Sequence, residues 1–423
     1  MPLTSTPAPL RRLATACALT LGALLTLLAL AGPAAAHADL LSSSPANGAV
    51  VPAEPPQVTL VFSEEVTLRL SSVKVIGPDG RRVDGGTLRA AGSEGDGIAV
   101  ELAGRPQHGT FVLDWLATAA DDGHATSGTL TFSVGAPSRT AASGHFGAPD
   151  RVTDAVLDLA VWLGLAGLAL LVGCTAVRLH CLPSTAGPEW AADLHRPVVL
   201  GWTAVLGGAL VQLFVQGPAT QGDSLAHTAD RSLLAATLST HAGHALAARI
   251  VLLALVAAVG EPLLRRSAGT AAAVLLTLAL AATWAETSHA SSGTLVPLAL
   301  VATTLHVSAM AVWGGGLVAV VVLRGHRSVV ARFSRLALGS VLVLAATGLY
   351  QAFREVGSVG ALTGTPYGRL LLIKTAVFAL VLAVAAAAHT RLALRRGVLL
   401  ELAGVSVVLL VTVLLIGTAP AHG

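Results

Sequence analysis

The sequence predicts a two-part protein, a small all-β sandwich followed by an α-helical membrane domain of about eight transmembrane helices. Residues 37–136 alternate polar and apolar side chains in short runs, whereas the chain after residue 151 contains long apolar segments. The composition is 54% hydrophobic and only 12% charged, which is far from that of an average soluble protein. The formal net charge of +3 is too small and too dispersed to indicate a nucleic-acid partner.

Residues 1–36 are predicted to be a secretory signal peptide. Arg11 and Arg12 form a basic region, the apolar run LATACALTLGALLTLLALAG follows, and three alanines at 34–36 suit a signal peptidase. Cleavage after Ala36 would make His37 the mature N-terminus and would place the next domain outside the cytoplasm.

The all-β sandwich is predicted over residues 37–136, because runs with a period of two are separated by turn signals such as PDG and ADDGHA. Within one run, Phe111, Leu113 and Trp115 should share a face, since successive side chains of a strand alternate. The predicted strands are QVTLVFSE, SSVKVIG, GIAVEL, GTFVLDWLAT and SGTLTFSVG. Residues 137–151, APSRTAASGHFGAPD, show no period and are predicted to be a linker.

The membrane domain is predicted over residues 152–423. A helix needs about 20 apolar residues to cross a bilayer, and eight segments approach or exceed that length. Basic residues concentrate in alternate loops, so the positive-inside rule places the β domain and the C-terminus outside the cytoplasm of a bacterial plasma membrane. The eight segments are 154–178, 197–216, 244–264, 270–287, 295–323, 336–354, 369–390 and 398–418.

Several side chains of the β domain could bind a metal ion. An N-terminal His37 offers an amine and an imidazole to one ion, and such ligands suit Cu(II); alternatively, the residue after a cleavage site is arbitrary. Asp122 and His124 project to one side of an extended segment and could meet one ion, or they could belong to a solvated turn. Glu64 and His108 are weaker candidates, because each can be an ordinary surface residue.

These residues lie in motifs that resemble the CopC family of bacterial copper-resistance proteins. H-A-x-L, S-x-P-A-x-G, L-x-F-S-E, and D-G-H before S-G-x-x-x-F-x-V occur in that order over residues 37–134. The resemblance implies an immunoglobulin- or cupredoxin-like sandwich that binds Cu(II) through His37, its amine, Asp122 and His124, with Glu64 nearby. Some members also have a Met-rich Cu(I) site, which is not expected here because Met310 is the only methionine besides the initiator.

The helical half resembles the CopD family of copper-resistance membrane proteins, most strongly over residues 295–391. The resemblance implies a membrane partner of CopC, fused here in one chain, that moves copper toward the cytoplasm. The glycines at 314–316 predict a small-residue face for close helix packing. The motifs are TLHVSAMAVWGGGL, RFSRLAL, LVLAATGLYQA and LTGTPYGRLLLIK.

Polar residues in the predicted spans could form a metal path, because polar side chains inside a bilayer are costly and usually functional. His306 lies within the fifth span, and Met310 follows one turn later on the same helical face. An imidazole followed by a thioether suits Cu(I) better than Cu(II). The alternative is that the interfacial histidines simply lie at headgroup depth. The predicted outer mouth of this path consists of His241, His244, Glu286 and His289.

The sequence therefore predicts a copper-handling protein with copper ions and the lipid bilayer as partners and no enzymatic activity. Its outer domain would capture Cu(II), and its helices would pass copper inward. Two alternatives stay open: a haem- or copper-dependent membrane redox protein, and a delivery module that loads exported cuproenzymes without transport. No ATPase signature is present in the sequence, so active pumping by this chain alone is not expected.

Overall fold

The computed structural model describes residues 38, 40–92, 95–103, 107–120, 125–138, 150–221, 223–264, 269–288, 290, 295–388, 394–416 and 418. Four predicted site residues lie outside this part of the chain: His37, Asp122, His124 and His289. The predicted signal peptide and most of the predicted linker also lie outside it, so the domain boundaries stay predictions.

Two four-stranded sheets make up the N-terminal part of the described chain. Their strand orders are β1-β3-β6-β5 and β2-β8-β7-β4. The short β2 runs parallel to β8, and the other strand pairs are antiparallel. The strands are β1 (Leu40–Ser44), β2 (Val50–Val51), β3 (Gln57–Phe62), β4 (Ser72–Ile76), β5 (Asp84–Ala91), β6 (Gly97–Leu102), β7 (Gly109–Thr118) and β8 (Ala125–Val134).

The two sheets share one buried core. Phe62 of β3 meets Trp115 of β7 edge to face, with ring centroids 5.3 Å apart, so the contact joins one sheet to the other. Within the second sheet, Phe111 stacks on Phe132 at 4.9 Å. Phe111, Leu113 and Trp115 are all buried in this core, which confirms their predicted common face.

Three strands were absent from the sequence prediction, and each has a physical reason. β1 and β5 are edge strands whose side chains are largely exposed, so they lack the alternation that identifies a half-buried strand. β2 contains only two residues, too few to show any period.

Ten helices follow in the described residues. Each of the eight predicted spans coincides with one of them, and the two additional helices, α3 and α8, are short. The helices are α1 (Arg151–His180), α2 (Pro188–Gln221), α3 (Arg231–Leu238), α4 (His241–Leu264), α5 (Gly269–Ala285), α6 (Val296–Val322), α7 (Arg327–Val356), α8 (Val359–Gly364), α9 (Pro366–Ala388) and α10 (Leu394–Ile416).

Six of the described helices are long and apolar enough to cross a membrane. These segments are Arg151–His180, Pro188–Gln221, His241–Ala258, Val296–Val322, Arg327–Val356 and Pro366–Ala385. Gly269–Ala285 and Leu400–Ile416 are shorter apolar helices. The helical region thus has six full-length candidate spans where the sequence predicted eight.

The predicted small-residue face packs α6 closely against α1. A Cβ atom added at Gly173 of α1 would lie 2.5 Å from the Gly315 Cα, and one added at Gly315 would overlap the backbone of Ala169. On the next position, a Cβ at Gly316 would overlap the Phe333 ring of α7. Glycine is therefore required where α6 meets its two neighbours, and the packing prediction is confirmed.

We expect Gly315→Ala to destabilise the helical region, because the added methyl group must separate α1 from α6. The expected cost is about 1–3 kcal/mol, the usual range for overpacking. Thermal unfolding in detergent, followed by a thiol-reactive dye that reports exposure of the buried Cys174 and Cys181, measures it. Gly339→Ala on α7 is the control, since its Cβ would have nothing within 4 Å. Equal melting temperatures for the two variants would contradict this account.

Asp84 connects the edges of the two sheets. Its carboxylate on β5 accepts hydrogen bonds from the Val75 N–H of β4 at 2.8 Å and from the Arg82 Nη2 at 2.7 Å. Burial alone would raise the pKa of Asp84, but the hydrogen bonds from Arg82 and Val75 and the positive charge of Arg82 outweigh it. The pKa of Asp84 is therefore lowered below its ordinary value.

Because the folded-state pKa of Asp84 is lowered, its contribution to stability should be complete above its unfolded pKa and lost as the pH falls through the folded value. We expect Asp84→Asn to cost about 1 kcal/mol at pH 7, a small value because water screens the half-exposed Arg82. The difference from wild type should shrink below pH ~4. Hydrogen exchange of β4 peptides measures it, with the exposed Asp79→Asn as control. If the stability difference between wild type and Asp84→Asn does not change with pH, the charge of the Asp84 carboxylate does not stabilise the fold.

Candidate functional site

Two carboxylates lie at one end of the β domain. Glu64 and Glu65 follow β3, and their segment pairs with the end of β7. The Ala120 N–H donates to the Glu65 carbonyl at 3.0 Å, and Val66 forms a bridge with Ala119. This pairing places the two glutamates beside the chain that leads directly into residues 121–124.

The described neighbours of the predicted metal ligands meet at this same end. Ala38, which follows His37 in the sequence, is buried, and its carbonyl accepts a hydrogen bond of 2.8 Å from the Thr126 hydroxyl. Thr126 lies two residues after His124. This bond joins the chain just after His37 to the chain just after His124; the histidines themselves lie outside the described residues.

A cavity of about 400 Å³ separates this end of the β domain from the helices. We call it the junction cavity. Glu64, Glu65 and Ala120 line it from the β domain, and His241, Glu286, Val296 and Leu300 line it from α4, the end of α5, and α6. Beside it, the Gln221 side chain at the end of α2 donates to the Leu70 carbonyl at 2.5 Å and ties the two parts together.

Two residues of the predicted outer mouth form a pair in the junction cavity. The Nε2 of His241, the first residue of α4, lies 2.6 Å from an oxygen of Glu286, which directly follows α5. Both side chains are between one third and one half exposed, so the pair is accessible from the cavity. Among the described residues, no group of three His, Cys, Asp or Glu side chains is close enough to hold a metal ion.

His306 lies deeper along α6, and its ring is oriented by a neighbouring helix. Its Nδ1 lies 2.8 Å from the Thr347 hydroxyl of α7, and that hydroxyl donates its own proton to the Val343 carbonyl at 2.6 Å. With its proton on the Val343 carbonyl, the hydroxyl accepts from Nδ1–H, and in this arrangement Nε2 is the nitrogen with a lone pair. Histidine binds metals through such an unprotonated nitrogen.

Met310 follows His306 by one turn and is partly buried. It packs against both large apolar clusters of the helical region. Leu300 lines the junction cavity, and the helical rise places His306 about 9 Å and Met310 about 15 Å further along α6. One helix thus leads from the cavity to the imidazole and then to the thioether.

Three residues near these groups were missed by the sequence analysis. Glu65 adds a second carboxylate to the junction cavity, and Thr347 orients His306. Neither has a signal in the sequence, because a hydroxyl or carboxylate gains such a role only through its neighbours. Arg249 is different: a single arginine within an apolar helix was visible in the sequence and marks an unusual position.

Three family models match the chain. Residues 40–135 match the CopC domain, residues 152–296 match the N-terminal domain of copper resistance protein D-like proteins, and residues 327–419 match copper resistance protein D. Together they cover both the β domain and most of the helical region.

Two relatives extend these matches. The chain is 28% identical over 372 residues to the copper transport protein CutJ of Bacillus subtilis, covering 83% of this chain and 67% of that protein. It is 41% identical over 101 residues to the protein YobA of Escherichia coli K12, covering 23% of this chain and 79% of YobA.

Two solved structures are similar to the β domain. CopC from Methylosinus trichosporium OB3b is 23% identical, with 25% of this chain and 99% of that chain covered and a TM-score of 0.22. PcoC, a methionine-rich copper resistance protein from Escherichia coli, is 30% identical, with 23% and 99% covered and a TM-score of 0.20.

Proposed function

We propose that this chain, which belongs to the CopC/CopD copper-resistance family as a natural fusion of a CopC domain with a CopD-like membrane domain, captures copper outside the cytoplasm and conducts it inward across the bacterial plasma membrane. The observation that carries the proposal is the junction cavity, where carboxylates of the β domain face an imidazole–carboxylate pair at the ends of the helices. Copper is the cargo in this proposal, and no catalytic residue is assigned.

The first step is capture of Cu(II) at the end of the β domain, whose two sheets we take to form the predicted sandwich. Its proposed ligands are the amine and ring of His37 with Asp122 and His124, and Glu64 lies nearby. The Ala38–Thr126 hydrogen bond supports this assignment, because it joins the chain beside His37 to the chain beside His124. Nitrogen and carboxylate ligands without a thioether suit Cu(II).

The second step is transfer across the junction cavity. A cation that leaves Glu64 and Glu65 meets the His241–Glu286 pair on the opposite wall. The ion would displace the proton of this hydrogen bond into the solvent outside the membrane, since an imidazole nitrogen and a carboxylate oxygen are both copper ligands. His289, which follows Glu286 by three residues, would add a further imidazole. Because the pair is partly exposed, binding there stays weak enough for the ion to leave again.

The third step is passage along α6 in a domain whose eight apolar helices all cross the membrane. The free Nε2 of His306 accepts the ion, and Met310 follows as a softer ligand. The change from oxygen and nitrogen ligands to nitrogen and sulfur favours Cu(I), so an external one-electron reductant outside the cytoplasm would convert Cu(II) to Cu(I) before this step. The Thr347 hydrogen bond supports a ligand role, because it occupies Nδ1 and orients the ring with Nε2 available to the ion.

We expect one glycine inserted before His37 to weaken Cu(II) binding by orders of magnitude, because it moves the free amine away from the ring. Titration of the purified mature protein with Cu(II), followed by electron paramagnetic resonance, measures the affinity and the number of nitrogen ligands. His124→Ala should remove the hyperfine contribution of one nitrogen ligand from the spectrum. The control is His108→Ala at an exposed position, which should leave the spectrum unchanged. If the Cu(II) affinity is unchanged after the insertion, the N-terminal amine is not a ligand.

His306→Ala and Met310→Leu should both abolish copper accumulation by cells at normal membrane abundance. Leucine matches methionine in volume, so Met310→Leu tests the sulfur atom without disturbing the packing. Ser308→Ala is the control, because Ser308 lies on the same helix and its hydroxyl donates to the Thr304 carbonyl of that helix. Cell-associated copper and protein level are measured together. Normal accumulation in His306→Ala would contradict the membrane path.

A further inference from the structure

Arg249 is fully buried inside the helical region. It lies on α4, eight residues after His241, and its side chain has no exposed surface. The two turns between them place it about 12 Å from the junction cavity by helical rise. The proposed copper path does not use it.

Hydrogen bonds occupy two of the three nitrogens of the Arg249 guanidinium group. Its Nε donates to the Thr283 hydroxyl at 2.9 Å, and its Nη2 donates to the Thr283 carbonyl at 3.0 Å. Its Cζ lies 3.5 Å above the centre of the Trp284 ring. The third nitrogen, Nη1, is buried and has no hydrogen-bond acceptor within the part of the chain that the structure describes.

A second unpaired donor lies beside it. The indole N–H of Trp284, the residue on which Arg249 stacks, is also buried, and among the described residues it has no acceptor. Gly164 of α1 lies against the same ring. A Cβ there would lie 3.2 Å from the ring and 3.8 Å from the amide nitrogen of Gln212, so a side chain at this position would crowd the indole.

The charge of Arg249 also lacks a counter-charge. Within the described residues, no aspartate or glutamate forms an ion pair with it; Glu286, one turn beyond Thr283, is bonded to His241 instead. A buried lysine or histidine could avoid the energetic cost of a buried charge by losing its proton, but a guanidinium group stays charged. A buried charge that is neither paired nor neutralised is strongly unfavourable.

We infer that Arg249 and Trp284 form a binding site for a small inorganic anion, namely chloride. The anion accepts the Nη1–H and indole N–H bonds and neutralises the guanidinium group. A purely structural role, in which Arg249 only ties α4 to α5 through Thr283, would leave both donors unpaired. The inference is independent of the proposed copper function.

The test uses the purified full-length protein in detergent, with a chelator to remove copper. Its melting temperature is measured while sodium gluconate is replaced by sodium chloride at constant ionic strength. We expect the melting temperature to rise with chloride and to saturate. Arg249→Gln should abolish the rise, and the exposed Arg332→Gln, which loses a charge and a bond to the Leu182 carbonyl, should keep it. The same melting temperature in both salts for wild type, or a rise retained in Arg249→Gln, would overturn the inference.

Trp284→Phe provides an arm that does not depend on the folding of the arginine variant. Phenylalanine keeps the stacked ring and removes only the indole donor. The chloride concentration for half-maximal stabilisation should increase by about fivefold, the effect of losing one neutral hydrogen bond. Iodide should quench a saturable fraction of the wild-type tryptophan fluorescence, and this fraction should disappear in Trp284→Phe. If the melting temperature of Trp284→Phe depends on chloride as in wild type, the indole N–H does not bind the anion.

Discussion

The close backbone contact between α1 and α6 determines the direction in which the polar side chains of α6 point. Gly173 and Gly315 lack side chains at the crossing, so the two helices approach until their backbones touch. With the rotation of α6 fixed there, His306 faces Thr347 of α7, and Met310 lies between the two large apolar clusters. A side chain at the crossing would separate the helices and release that orientation.

Because they are buried away from water, these polar groups depend on hydrogen-bond partners within the protein. A polar side chain inside the helical region must find its partners within the protein, because hydrocarbon offers none. His306 meets this requirement with one ring nitrogen and leaves the other with a lone pair. Arg249 meets it incompletely, since one of its nitrogens and the adjacent indole have no acceptor among the described residues. At this buried charge the unsatisfied donors therefore mark a position for an anion.

Much of the architecture could be predicted because it follows from periodicity. The common face of Phe111, Leu113 and Trp115 and the positions of the apolar helices depend on patterns that span many residues. The edge strands β1 and β5 could not be predicted, because an exposed edge imposes no alternation. His241 and Glu286 were expected at the same outer mouth, and the structure adds their direct contact. The Thr347–His306 contact could not be predicted, because it depends on how two helices rotate against each other, which no local pattern encodes.

The central claim is that copper moves from the β domain through the junction cavity and across the membrane. The most direct test is isotopic copper flux into proteoliposomes in which protease accessibility shows the β domain on the outside. A reductant is present outside, and copper in the lumen is separated from copper bound to the protein. The amount of isotopic copper in the lumen should increase with time, and its rate of entry should saturate with copper concentration. Lumenal copper no higher than in protein-free vesicles, with binding to the β domain intact, would contradict it.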